Sequence, residues 1–123
     1  MDKLCELLLP IDLVNDNAGR SQHWSKAAKR KKQYVEMVWW LTACRREPFT
    51  YRVRLRITRI LGKGQRLWDP CSIGRGSAKE LIDALVDNHY LVDDGPKYVI
   101  DVDYRQDATK RENGPAVLVE FFE

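Results

Sequence analysis

Long hydrophobic runs are missing from this 123-residue chain. No stretch approaches the roughly 20 apolar residues that span a bilayer, which excludes a helical membrane protein. The apolar start Leu4 to Leu9 is short, carries Glu6 and runs into Pro10 and Asp12, unlike a secretory signal, so a cytoplasmic location is expected. Cysteine is scarce and odd in number. Cys5, Cys44 and Cys71 form no C-x-x-C pair, which argues against a disulfide framework or a zinc knuckle and for reduced thiols. No phosphate-cradling loop ends in Gly-Lys-Ser/Thr, and Gly74-Arg75-Gly76 is too short for one, so a nucleotide-hydrolysing motor is excluded. His23 and His89 have no serine or cysteine signature beside them, which leaves a catalytic triad without support.

What is present is the composition of one globular domain, 1–123: 44% hydrophobic residues, 32% charged and ample aromatics. Charge is unevenly placed. Residues 1–66 hold 15 Lys and Arg against 6 Asp and Glu, whereas residues 67–123 hold 6 against 12. The stretch 20–32, with Arg20, Lys26, Lys29, Arg30, Lys31 and Lys32, contains no acid. Such a field suits a polyanion such as nucleic acid, although a solvated helix face reads the same way.

Leu4 to Leu9 reads as a strand stopped by Pro10, and Pro10 to Ser21 as a loop. A helix is expected from Trp24 to Cys44, capped by Ser21 or Ser25 and ended by Glu47-Pro48, with Trp39 in the core. In Tyr51 to Ile60, the residues Tyr51, Val53, Leu55 and Ile57 alternate with Arg52, Arg54, Arg56 and Thr58. One strand face is therefore apolar and the other carries arginines, which face either phosphates or solvent. Ser77 with Glu80 has the spacing of a capping box for a second helix reaching Asp87, with Ala78, Leu81, Ile82 and Leu85 as its buried stripe. Further strands are expected at Tyr98 to Tyr104 and Ala116 to Phe122, the latter after a polar turn at Lys110 to Pro115. Together these give an α+β fold, a small mixed β-sheet with two main helices packed on it.

Carboxylates are the residues most able to carry chemistry. Asp69 begins the loop after the basic strand, and Asp93 and Asp94 follow the second helix, so a strand end and a helix end could converge there on Mg²⁺, a hard cation that takes oxygen ligands. The same dipeptides are ordinary turn formers. Asp101 and Asp103 share one strand face and are expected to contact arginines of the Tyr51 strand.

The run Asp69-Pro70-Cys71-Ser72-Ile73-Gly74-Arg75-Gly76, then Lys79, Ile82-Asp83-Ala84-Leu85 and Leu91-Val92-Asp93-Asp94-Gly95, resembles the RusA-type Holliday-junction resolvases, particularly their phage and prophage relatives. That family reads D-x-D-N, a lysine, D-A-L and V/L-D-D. The specificity of the resemblance lies chiefly in the gapless spacing from Lys79 to Asp94. It implies a homodimer that nicks four-way DNA junctions symmetrically with Mg²⁺, or Mn²⁺. Asp69 and Asp94 would be metal ligands with Asp93 beside them, and Lys79 would stabilise the scissile phosphate. Lys26, Lys29, Arg30, Lys31 and Lys32, with Arg52, Arg54 and Arg56, would position DNA. The chain departs from the pattern at Cys71 and Ser72, which replace the second aspartate and the asparagine, and one extra residue precedes Lys79. A neutral thiol is a poor Mg²⁺ ligand. Three outcomes follow: an active nuclease, a Mn²⁺-preferring one, or an inactive relative that binds branched DNA. An interaction domain for an acidic protein is the reading from another class.

Overall fold

The computed structural model describes residues 2–14, 24–42, 47–69 and 77–123. Four strands form one sheet in the order β1-β4-β2-β3, where β1 is Lys3–Leu9, β2 Val53–Ile60, β3 Val99–Asp107 and β4 Ala116–Phe122. Strand β4 runs antiparallel to both β1 and β2, and β2 runs parallel to β3, so the sheet is mixed. Two helices, α1 (Trp24–Thr42) and α2 (Ala78–Asp87), complete the expected α+β arrangement. Parallel pairing requires a long crossover, and the chain supplies it as α2 with its flanking segments. No helix among the described residues is long and apolar enough to cross a membrane.

Alternation in β2 sorts its side chains as anticipated: Val53, Leu55 and Ile57 are buried, while Arg54 and Arg56 lie on the other face. Central β4 is almost wholly buried, since it has a neighbour on each side. The core joins Leu9, Leu55, Ile57, Val119 and Phe121 of the sheet to Tyr34 and Val38 of α1 and to Leu81 and Leu85 of α2. Burying each such large apolar side chain contributes about 1.5–3 kcal/mol. Phe121 anchors the centre, stacked 5.5 Å from Tyr90 and tilted 5.6 Å from Phe49.

Several expectations shift. Strand β2 begins at Val53, because Tyr51 is 46% exposed and packs on Phe49 instead. Strand β3 runs Val99–Asp107, with a register shift that pairs Val53 with Val99 but Arg54 with Asp101. Ile100 is the extra residue of this bulge. It is exposed, and Val99 is buried on the same side as Val102 and Tyr104. Trp39 is 49% exposed rather than core: Tyr34 and Val38, four apart, define the buried stripe of α1, and Trp39 lies about 100° round from Val38. Ser77 does not cap α2 with its side chain. Its hydroxyl accepts from the Val14 amide at 2.8 Å and meets the Tyr34 hydroxyl at 3.0 Å, tying the β1 exit to both helices. Ser25 lies inside α1, and Ser21, Cys44 and Gly74 to Gly76 lie outside the described residues. Gly114, before a cis Pro115, passes so close to Leu61 that any Cβ would collide with the Leu61 carbonyl.

Candidate functional site

Lys79 and Asp94 are 15 positions apart in sequence and touch in the structure. The meeting depends on how α2 ends. His89 takes a left-handed conformation, φ 63°, and the amides of His89 and Tyr90 bond back to Val86 and Leu85, which turns the chain sharply. Leu91 then bridges Phe49, and Asp93 and Asp94 return past the first turn of α2. Lys79 Nζ also donates to Asp83 Oδ1 at 3.0 Å, one helical turn on. Its ammonium is held above the ordinary lysine range, first by Asp94 and then by Asp83. The Asp94 carboxyl is held below the ordinary carboxylate range, chiefly by that Lys79 bond. Lys79 also acts on Tyr104, where its charge opposes the upward push of burial on the phenol.

Asp69 reaches the same strand by another route. Gln106 Oε1 accepts the Trp68 amide at 2.8 Å, and Gln106 Nε2 donates to the Trp68 carbonyl at 2.9 Å, so the residue before Asp69 is fixed to β3. Tyr104 and Gln106 alternate onto one face of β3, about 7 Å apart along the strand. The residue before Asp69 is thus anchored on β3 two positions along from Tyr104, the phenol that the Lys79 charge reaches. Asp69 and Asp93 are exposed, and Asp94 is a third exposed and engaged by Lys79.

Asp69 and Asp94 offer the oxygen donors that Mg²⁺ takes. Among the described residues, however, no three of His, Cys, Asp and Glu are grouped closely enough to hold a metal ion. Cys71 and Ser72 lie outside the described residues. A divalent cation at Asp94 would compete with the Lys79 ammonium for the same carboxylate.

The residues expected to position DNA divide into two groups. Lys26, Lys29 and Lys32 of α1 are exposed, as is Arg52, and make no ion pair among the described residues. Arg30 pairs with Glu80 at 3.1 Å and Lys31 with Asp87 at 3.7 Å. Arg54 pairs with Asp101 at 2.7 Å and Arg56 with Asp103 at 3.2 Å, as the Asp101 and Asp103 expectation required. Lys3 pairs with Glu120 at 2.7 Å. Each of these pairs joins the basic half of the sequence to the acidic half, so much of the lopsided charge is neutralised internally.

Sequence reasoning missed Arg59, Trp68 and Gln106. A signal existed for Arg59, since it continues the inward series Val53, Leu55, Ile57 and so puts a charge where an apolar residue belongs. No protein-family model matches the chain, and no curated protein matches it either.

Proposed function

We propose that the chain is a RusA-like, metal-dependent endodeoxyribonuclease that acts on four-way or otherwise branched DNA as a homodimer. The observation that supports this reading is the contact of Lys79 with Asp94, two residues that the resemblance matches to the resolvase motifs, while the residue before the third, Asp69, is anchored on β3. Lys79 neutralises Asp94 in the free protein; beside a scissile phosphate the same ammonium stabilises developing negative charge. Asp69 and Asp94, with Asp93, are the residues that would hold Mg²⁺ or Mn²⁺, which would supply activation of the attacking water in phosphodiester hydrolysis. Lys26, Lys29 and Lys32, which make no ion pair among the described residues, contact phosphates, which orient the duplex arms without reading sequence. Two subunits provide the two sites that paired nicking needs.

A second reading, a relative that binds branched DNA without cutting it, is favoured by the engagement of Asp94 with Lys79 and by the lack of a grouped ligand set among the described residues. The test is cleavage of a synthetic four-way junction and a matched linear duplex in Mg²⁺ and in Mn²⁺, with Asp94→Asn as control. Paired nicks on the junction that vanish in the variant support the nuclease. Tight junction binding without nicks in either metal supports the second reading, and restored cutting in Cys71→Asp would trace the loss to that position.

A further inference from the structure

Arg59 is 3% exposed, carried by the alternation of β2 into the helix-covered side of the sheet. No carboxylate lies within ion-pair distance of it among the described residues, and its Nε is buried without a hydrogen-bond partner. Burial disfavours its charge and the nearby Arg111 guanidinium adds to that, with Asp12 as a partial offset. A buried guanidinium lacking a carboxylate is costly, so what it holds is informative.

All that Arg59 holds belongs to one segment and its anchor. The guanidinium stacks 3.8 Å over the Trp68 ring, and Nη1 donates to the Arg66 carbonyl at 3.0 Å and to Gln106 Oε1 at 3.1 Å. Gln106 in turn brackets Trp68 through both its amide and its carbonyl. Farther back, Arg111 Nη1 donates to the carbonyls of Gly62 at 2.8 Å and Gln65 at 2.7 Å. The segment 61–68 is therefore tied along its length by two guanidinium groups and an amide, and the next residue is the exposed Asp69. A mere connection needs no such fixing just ahead of Asp69. A carboxylate that must meet a cation at set geometry does.

We infer that Arg59 is a positioning residue for Asp69: together with Gln106 it fixes the Arg66–Trp68 backbone, and so the point beside Gln106 of β3 from which the Asp69 carboxylate is presented. This deepens the metal-dependent reading and rests on it, with Mn²⁺ as the probe. Arg59→Lys keeps the charge but loses the planar stack and the fork of donors. Gln106→Glu keeps an acceptor for Arg59 and for the Trp68 amide but cannot donate to the Trp68 carbonyl.

Mn²⁺ affinity is read from the free-ion electron paramagnetic resonance signal for the wild-type protein, Arg59→Lys, Gln106→Glu and Asp69→Asn. Junction binding in EDTA and thermal unfolding are measured in parallel. Expected are folded variants with unchanged junction binding and Mn²⁺ affinity weakened about tenfold, the scale of an outer-shell loss. Where the wild-type protein cuts, their rates should approach its own at saturating Mn²⁺. Wild-type Mn²⁺ binding that is lost in Asp69→Asn but unchanged in both other variants overturns the inference and leaves the nuclease reading intact. A wild-type protein with no Mn²⁺ affinity overturns both. If Arg59→Lys does not fold, Gln106→Glu decides alone.

Discussion

Strand β2 carries arginines on both of its faces, and the two faces treat them differently. On the open face Arg54 and Arg56 each meet a carboxylate of β3, with Arg56 also lying 4.9 Å from the centre of the Phe122 ring. On the covered face, Arg59 has no paired carboxylate among the described residues and spends its donors on a carbonyl and an amide oxygen. The open-face arginines are partly exposed, so solvent screens the pairing and helps to satisfy each charge. Arg59 is out of reach of water, so its partners are what fix a loop. The same residue type on one strand thus acts as surface charge matching in one place and as a structural clamp three to five residues away.

Truncation should widen that contrast most. Arg59→Ala, which leaves a cavity and strands the Gln106 and Arg66 acceptors, is expected to cost about 2–4 kcal/mol in urea unfolding. Arg59→Met, which fills the space without a charge, should cost far less, because replacing a buried charge by an apolar residue of similar volume is often close to neutral. A Met variant as damaged as Ala would mean that the hydrogen bonds, not the packing, carry the stability.

The next largest effect concerns DNA. Exchanging Lys26, Lys29 and Lys32 together for alanine should weaken junction binding and flatten its dependence on salt by about three counterions, whereas Arg54→Ala with Arg56→Ala should change the salt slope little. The reverse result, read from binding titrations at several salt concentrations, would make the open sheet face the DNA-binding surface despite its carboxylates.

A smaller effect separates Lys79–Asp94 from both kinds of arginine. Asp94 titrates below the ordinary carboxylate range when folded, so its contribution is present above the unfolded carboxylate value and is lost as pH falls through the folded one. Lys79 is raised, so its share is present at neutral pH and is lost only when alkali passes its folded value. Stability from this pair should be flat near neutrality. Lys79→Ala should shrink the acid limb of an unfolding profile by less than about 1 kcal/mol, since the pair is largely solvated. Smallest of all is the Arg54–Asp101 double-mutant cycle, with a coupling of about 0.2–1 kcal/mol that falls with added salt.

Much of the scaffold was readable locally. The strict alternation of Val53, Leu55 and Ile57 with Arg54 and Arg56 sets a strand with two unlike faces, and the stripe Ala78, Leu81, Ile82 and Leu85 sets a helix with one buried side. Those signals depend on neighbours within a turn or two. Less of the candidate site was visible. The resemblance assigned Lys79 and Asp94 to one site, but their contact depends on a left-handed turn at His89 that no glycine marks in the sequence. Ser77 and Glu80 matched a capping box and were instead taken by Tyr34 and Arg30 of α1, because tertiary partners outcompeted a local bond.

By itself the sequence determined the elements, their apolar faces and an excess of basic residues in its first half. Only the tertiary structure decided what that excess means. Parallel pairing of β2 with β3 sets Arg54 and Arg56 against Asp101 and Asp103, and packing of α1 on α2 sets Arg30 and Lys31 against Glu80 and Asp87. Side-chain periodicity is a property of adjacent residues and survives in the sequence. The choice of partner strand, its register and the bulge at Ile100 are settled by contacts between distant residues, and those contacts determine which cations remain unpaired and which carboxylates meet.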